Sequence, residues 1–120
     1  MSNSSTSRRF DIVDVFAENR YQGNQLAVMQ SAGDLSDEEM QRIALETNFS
    51  ETTFLRGGNI TDGFDVRIFT PAFEIPFAGH PTLGTAAVIR MLTDPSSDRV
   101  TLNLQVGAVP VQFEDELAWL

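Results

Sequence analysis

Two residues of this sequence have side chains suited to moving protons, and each lies beside a feature that favours such chemistry. Glu51 begins a β-prone segment, and burial against Phe49 and Phe54 would raise the pKa of its carboxyl above the usual value. His80 is the only histidine and follows Gly79 at the start of an apolar stretch. A carboxyl whose pKa lies near the working pH is an effective general acid and base. These features make Glu51 and His80 candidates for proton transfer, and a structural role is the alternative for each of them.

Most other kinds of catalytic site lack their residues in this chain. It has no cysteine and no lysine, which excludes a thiol nucleophile, a zinc finger and a Schiff-base lysine. No serine stands in a Gly-x-Ser-x-Gly elbow, and no glycine loop of the P-loop or dinucleotide type is present. One histidine and scattered acids do not form a metal site. What remains is acid–base chemistry that needs no cofactor.

The apolar stretch after His80 predicts a buried helix whose start is suited to binding an anion. Pro81 is placed at its first helical position, and from Leu83 to Leu92 the only charged residue is Arg90. Free backbone N–H groups and the positive end of the helix dipole would favour a carboxylate at Gly79 to Thr82. The N–H groups expected to be free are those of Gly79, His80 and Thr82. In the alternative interpretation, His80 only caps the helix.

The elements before this helix are two strands, a surface helix and a hairpin. The strands are expected over Phe10–Phe16 and Asn24–Gln30, with a polar loop over Ala17–Gly23 between them. Ser36 and Glu39 match a capping box. Apolar spacing then predicts a one-sided helix that ends near Thr47 or Asn48, with an inner face of Met40, Ile43, Ala44 and Thr47.

Four further strands are predicted from alternating and β-branched residues. Ser50–Arg56 and Phe64–Thr70 form a hairpin, with turn residues at Gly57-Gly58-Asn59 and Asp62-Gly63. Val100–Val106 and Val109–Phe113 follow the helix, with a turn at Gly107 and Ala108. The order β-β-α-β-β-α-β-β predicts an α+β domain whose second helix lies inside the curl of a sheet.

Length and charge restrict the class of protein further. The 120 residues suffice for one compact domain, expected over residues 10–120, with a polar disordered tail at Met1–Arg9. The formal charge of -9 opposes binding to nucleic acid or to an anionic membrane. No apolar run is long enough for a membrane span or a signal peptide, so a cytoplasmic protein is expected. The last residues, Leu117 to Leu120, stop in an apolar run, and we therefore expect the chain to be one half of something larger.

Four motifs in order resemble the N-terminal half of the PhzF family of phenazine biosynthesis-like proteins. The resemblance extends over roughly Phe10 to Phe113. Gln25 is a departure, since the family more often has proline there. In the related epimerases a catalytic cysteine lies near the start of the central helix, where this chain has Ala78. The motifs are Gly23-Asn24-x-Leu26-Ala27-Val28, Asn48-Phe49-Ser50-Glu51-Thr52-Thr53-Phe54, Arg67-Ile68-Phe69-Thr70-Pro71 and Phe77-Ala78-Gly79-His80-Pro81-Thr82-Leu83-Gly84.

This resemblance implies a fold, a reaction and a set of site residues. Family members have two similar domains of the diaminopimelate epimerase-like fold. Each is a curved, mostly antiparallel, barrel-like sheet around a central helix, and the active site lies between them. The family enzyme of phenazine synthesis is an isomerase that moves a proton. By the resemblance, Glu51 and His80 are catalytic, and a small carboxylic-acid substrate contacts Asn24, Ser50, Gly79 and Thr82. The aspartate and serine of the second domain have no counterpart in this chain.

Two other functions stay open at this point, and an association is expected. One is an epimerase or racemase of the same fold, which the absence of cysteine disfavours. The other is a non-catalytic fragment or a small-acid-binding protein. Because a single domain of a two-domain enzyme leaves an apolar face uncovered, a homodimer is expected, with no nucleic-acid or membrane partner.

Overall fold

The computed structural model describes residues 10–15, 24–114 and 117–119 of the chain. The predicted tail at Met1–Arg9 and the predicted loop at Ala17–Gly23 lie outside these residues. The predicted order of elements is confirmed, with two short additional strands, β5 and β8. Within the described residues the elements are β1 (Phe10–Val15), β2 (Asn24–Met29), α1 (Asp37–Thr47), β3 (Glu51–Asn59), β4 (Gly63–Phe69), β5 (Glu74–Ile75), α2 (Gly79–Thr93), β6 (Arg99–Leu104), β7 (Gly107–Glu114) and β8 (Leu117–Trp119).

All the strands belong to one sheet that curls around α2. The order is β1-β2-β3-β4-β6-β7-β8, and β5 pairs with β4 beside this path. Neighbours are antiparallel except for β2 with β3 and β4 with β6. Helix α2 contacts strands at both edges of the sheet, β1 and β8, as well as β2, β3, β6 and β7. A sheet whose two edges meet the same helix must be curved, which confirms the predicted α+β class and its central helix.

The two faces of the curved sheet bury two different apolar sets. The outer set packs against α1 and includes Phe54 and Phe69, whose rings meet edge to face with centroids 5.4 Å apart. The alternation predicted for β4 is confirmed, since Phe64, Val66 and Ile68 all face α2. The main inner set consists of Phe64, Val66, Ile68, Ala86, Ile89, Val100, Leu102, Leu104, Val111 and Phe113.

Helix α1 has the ends that its sequence predicts. The Glu39 N–H donates to Ser36 Oγ at 3.1 Å, and the Ser36 N–H donates to Glu39 Oε1 at 2.8 Å, which completes the capping box. Asn48 ends the helix in the left-handed conformation with φ 56°, which asparagine tolerates better than most residues. Met40 and Ala44 are buried beneath it, as its apolar spacing indicates. The chain then turns directly into β3.

Helix α2 begins two residues earlier than its sequence indicates. The helix starts at Gly79, so Pro81 occupies the third helical position and not the first. Proline is tolerated in this first turn because the N–H it lacks would have no partner within the helix. The helix is also less enclosed than predicted, since Met91 is 61% and Leu92 39% exposed near its C-terminal end. Neither helix of the described residues is long and apolar enough to cross a membrane.

The loop between β4 and α2 is held by an arginine fork. Arg67 Nε and Nη2 donate to the two carboxylate oxygens of Glu74 at 2.7 and 2.6 Å, which fastens β5 to β4. Arg67 Nη1 also donates to Asp37 Oδ1 at the start of α1, at 2.6 Å. Thr70 closes the turn before β5, because its hydroxyl donates to the Phe73 carbonyl at 2.9 Å. These contacts hold β4, β5 and the start of α1 together.

Two predicted turns lie elsewhere in the structure. Gly57 and Gly58 do not turn the chain, because β3 continues through them with a bulge after Leu55. The turn follows Asn59, whose side-chain oxygen accepts from the backbone N–H groups of residues 61 and 62 at 3.0 and 2.7 Å. The turn predicted at Gly107 and Ala108 comes two residues earlier, because β6 ends at Leu104 and pairs with the start of β7. Val106, predicted to be a strand residue, is accordingly 60% exposed.

Candidate active site

Glu51 is the first residue of β3, and its carboxyl is half-buried on the side of the sheet that faces α2. Side chains alternate along a strand, so Glu51 shares this side with Thr53, which contacts the helix. Burial raises the pKa of the Glu51 carboxyl above its ordinary value, and the charge of the neighbouring His80 opposes that shift. A carboxyl in this environment takes up a proton more readily than an exposed one, as a general acid and base requires.

The start of α2 consists of Gly79, which is partly buried, and His80, which is exposed. The hydrogen-bond ladder of the helix begins where the Thr82 N–H donates to the Ala78 carbonyl at 3.2 Å, so the N–H of Gly79 precedes it. Ala78 is the N-cap and has no side chain that could cap these groups, and the first turn contains no acidic residue. A Cβ atom on Gly79 would meet nothing within 4 Å, so the space in front of this helix end is open. The positive end of the helix dipole therefore has open space on the Cβ side of Gly79.

A buried hydroxyl pair connects the strand of Glu51 to the helix of His80. Thr53 Oγ1 lies 2.8 Å from Thr85 Oγ1, and both residues are completely buried. Sequence reasoning did not single out either threonine. The alternation of β3 could have placed Thr53 on the helix side, but no local signal indicates Thr85 as its partner across 32 residues.

The other predicted substrate-binding residues have different surroundings. Ser50 is exposed and immediately precedes Glu51. Asn24 is the first residue of β2, and its side chain lies outside the described part of the structure. Thr82 is completely buried, and its hydroxyl donates to the Ala78 carbonyl at 2.6 Å. The expectation of a free N–H at Thr82 was wrong, because the ladder of α2 already uses it. Its role in substrate binding stays a prediction.

The described residues offer no metal site at Glu51 and His80. No group of three potential metal ligands occurs within residues 10–15, 24–114 and 117–119. Two open cavities of about 370 and 180 Å³ adjoin Arg56, and neither is lined by Glu51 or His80. The walls of these two cavities contain no group suited to acid–base chemistry beyond an exposed carboxylate at Asp65.

Comparisons with known proteins agree on one family. The family model for phenazine biosynthesis-like proteins (PhzC-PhzF) matches residues 13–118. The trans-2,3-dihydro-3-hydroxyanthranilate isomerase of Pseudomonas aeruginosa is 45% identical over 106 residues, which cover 88% of this chain and 37% of the relative. The chain therefore spans about two fifths of the length of the curated relatives it matches.

Solved structures of similar proteins share the fold. A phenazine biosynthesis PhzC/PhzF protein from Clostridium difficile superposes with a TM-score of 0.83 at 33% identity, over 93% of this chain and 42% of that one. A protein from Pseudomonas aeruginosa named as a predicted epimerase gives a TM-score of 0.76 at 38% identity, over 93% of this chain and 41% of that one. The curved sheet around a central helix is thus an architecture that this chain shares with about two fifths of each of these proteins.

Proposed function

This chain belongs to the family of phenazine biosynthesis-like proteins (PhzC-PhzF), and from that premise we propose that it contributes half of the active site of an isomerase. The reaction moves a proton on a small carboxylic acid, with no cofactor. Glu51 is the acid–base residue and His80 assists it. The second half of the site comes from a further domain, since relatives named as isomerases are more than twice as long as this chain.

The observation that carries this proposal is the half-buried carboxyl of Glu51 beside His80. Removing a proton from carbon and returning it elsewhere requires a group that is stable in both protonation states near the working pH. Burial moves the Glu51 carboxyl in that direction, and the adjacent imidazole supplies a partner that can bear positive charge. The open space before Gly79 leaves room for a substrate to reach both groups.

The start of α2 would bind the carboxylate of the substrate. The Gly79 N–H and the positive end of the helix dipole attract an anion, and no side chain caps that end. A substrate held there by its carboxylate would have its carbon framework near Glu51. The P. aeruginosa relative is named for an anthranilate derivative, which is such an acid, and we propose the same class of substrate for this protein.

A chimaera tests the proposal directly. This chain would replace the matching segment of the P. aeruginosa isomerase, and turnover of trans-2,3-dihydro-3-hydroxyanthranilate would be followed by NMR in D2O. We expect isomerisation with deuterium incorporated from the solvent. Glu51→Gln should lower kcat by about 100-fold or more, because it keeps the shape and removes the titrating group.

The matched control for this experiment is Glu46→Gln. Glu46 is an exposed glutamate near the end of α1, so its substitution removes the same charge away from the pair. We expect it to leave kcat within twofold of the unaltered chimaera. Near-normal turnover by the Glu51→Gln chimaera would refute the proposed role of Glu51.

Epimerisation is a second candidate, favoured by the likeness to the protein named as a predicted epimerase. A two-cysteine mechanism is not open to this chain, because it contains no cysteine and has Ala78 at the start of α2. A glutamate-based epimerisation uses the same Glu51 and differs in returning the proton to the carbon it left. The chimaera distinguishes the two, because epimerisation incorporates deuterium without moving a double bond. If the chimaera incorporates no deuterium, by isomerisation or by epimerisation, the result favours the third candidate, a small-acid-binding protein.

We also propose that the protein is cytoplasmic and forms a homodimer. Its charge of -9 is unsuited to anionic membranes and nucleic acid. The apolar side chains beside the site support association, because Phe73 is 59% and Phe77 40% exposed on the segment that leads into α2.

A further inference from the structure

We infer that Thr53 and Thr85 are positioning residues that hold Glu51 and His80 next to each other through one buried hydroxyl–hydroxyl hydrogen bond. Their importance for catalysis rests on the proposed function, but the positioning itself can be measured without an activity assay. Nothing in the sequence or in the names of the relatives assigns a role to either threonine.

The spacing of Thr53 from Glu51 on β3 matches the spacing of Thr85 from His80 on α2, which supports this inference. From Thr53 to Glu51 the strand runs two residues, or about 7 Å. From Thr85 to His80 the helix runs five residues, or about 7.5 Å along its axis. Measured along their axes, strand and helix therefore advance almost equally from the shared hydroxyl contact to Glu51 and to His80, while the five residues also turn the helix by about 140°. The electrostatic interaction between these two groups agrees with that arrangement.

The chemistry of the contact explains why it can determine the register. Both hydroxyls are completely buried and lie 2.8 Å apart, so one donates to the other in a site that water does not reach. A buried polar group without a partner is costly, so the helix cannot slide along β3 without paying that cost. Apolar contacts between strand and helix are not directional, and they tolerate small displacements that this bond does not.

A neighbouring threonine provides a matched control. Thr52 is also completely buried, but it points to the opposite side of β3, where its hydroxyl lies 3.2 Å from that of Thr47 in α1. Thr52→Val therefore removes a similar buried hydroxyl one residue from Glu51 without touching α2. If any loss of a buried hydroxyl near Glu51 disturbs the site, this variant will disturb it as well.

The test uses the imidazole of His80 as a reporter, because it is the only histidine in the chain. NMR spectra of the isotope-labelled chain are recorded across the acid range, where ionisation of Glu51 produces a step in the His80 chemical shifts. Glu51→Gln identifies that step by abolishing it. We expect Thr53→Val and Thr85→Val each to reduce the amplitude of the step. The separate variant Thr53→Ser retains the hydroxyl and should show the full amplitude. Thr52→Val should leave it unchanged.

The double variant Thr53→Val/Thr85→Val separates positioning from stability. Replacing both partners by apolar groups of similar shape should recover most of the stability lost in the single variants, and it provides a folded sample if either single variant fails to fold. We expect the step to stay reduced in the double variant. A step of full size there, or an equal reduction in Thr52→Val, would overturn the inference. If Thr53→Val or Thr85→Val lowers kcat in the chimaera and leaves KM unchanged, the positioning also matters for catalysis. If the chimaera without these substitutions is inactive, that result counts against the proposed function alone.

Discussion

At the scale of single residues, the burial that suits Glu51 to its proposed acid–base role also lowers the stability of the fold. Its carboxyl is half-buried at the start of β3, and burial raises its pKa. The charged form is therefore less favourable in the folded chain than in the unfolded chain, where the pKa of a glutamate is about 4.3. A protein built for stability alone would have a neutral residue at this position.

The first prediction is that Glu51→Gln stabilises the fold at neutral pH. Between the unfolded and the raised folded pKa, the folded chain binds more protons than the unfolded one, so stability falls as pH rises through this window. Above this pH window the charged Glu51 carboxylate destabilises the fold to its full extent, and below a pH of about 4.3 this destabilisation is absent. The variant should therefore unfold at higher urea concentration than the original at pH 7, and the difference should shrink on acidification. A difference independent of pH would show that the carboxyl is not the cause, and Glu46→Gln is the exposed control.

At the scale of elements, α2 begins with an N-cap that is poor for stability. Ala78 has no side-chain oxygen to accept from the first N–H groups, whereas α1 has a complete capping box. The difference between an alanine and an aspartate at such a position is about 0.5–2 kcal/mol. An uncapped helix start beside Glu51 is the arrangement expected where a ligand anion takes the place of the cap.

The second prediction concerns an N-cap side chain introduced at Ala78, where a ligand anion is proposed to bind. Ala78→Asp should raise the free energy of unfolding by about 0.5–2 kcal/mol, because its carboxylate caps the helix and interacts with the dipole. In the chimaera the same substitution should raise KM for the acid substrate, since a fixed negative charge then occupies the anion site. Ala78→Ser is the neutral companion, which caps without the charge. Tighter substrate binding in Ala78→Asp would mean that the carboxylate does not bind at this helix end.

The bulge in β3 gives a third prediction, on backbone conformation. Gly58 has φ +123°, and a Cβ atom there would lie 2.3 Å from the Gly63 carbonyl oxygen. Gly57 has φ +151° with open space where its Cβ would be. Both substitutions to alanine strain the backbone, but only Gly58→Ala also collides with the paired strand. Thermal unfolding should show Gly58→Ala to be less stable than Gly57→Ala by more than about 1 kcal/mol, and equal losses would rule out the collision as the cause.

At the scale of the whole molecule, the curved sheet leaves apolar side chains uncovered on several sides. Ile12 on β1 is 62% exposed, Phe73 before β5 is 59% exposed, and Met91 near the end of α2 is 61% exposed. Surfaces of this kind usually contact a further domain or a second chain. The chain also spans only about two fifths of its relatives. The proposed further domain and the proposed association therefore both agree with these exposed apolar side chains.

The last prediction is that the 120-residue chain self-associates. Sedimentation velocity at micromolar concentration should show a dimer, because a second copy can cover the apolar residues in an isologous contact. Phe73→Ser/Phe77→Ser should shift the equilibrium to monomer if the surface beside the site is the contact, whereas Ile12→Ser is the control on β1. A monomer that binds no hydrophobic dye would contradict the prediction.

Much of this architecture could be predicted from the sequence because it depends on neighbours along the chain. The capping box of Ser36 and Glu39 acts over three residues, and the alternation of Phe64, Val66 and Ile68 follows from the geometry of one strand. The absence of cysteine and lysine excluded whole classes of chemistry without any structure. Residue type and local context made Glu51 and His80 candidates for proton transfer, and the resemblance to the family implied their roles.

What only the tertiary structure decided are the relations between distant segments. The contact of Thr53 with Thr85 spans 32 residues, and no local pattern encodes the pairing of two ordinary threonines. The continuation of β3 through Gly57 and Gly58 follows from its pairing with β4, whose long-range hydrogen bonds overrode a local preference for a turn. The sequence could not decide at which residue α2 begins, because proline is tolerated within the first turn of a helix. The placement of Glu51 beside His80 is likewise a property of the packed sheet and helix, and not of either segment.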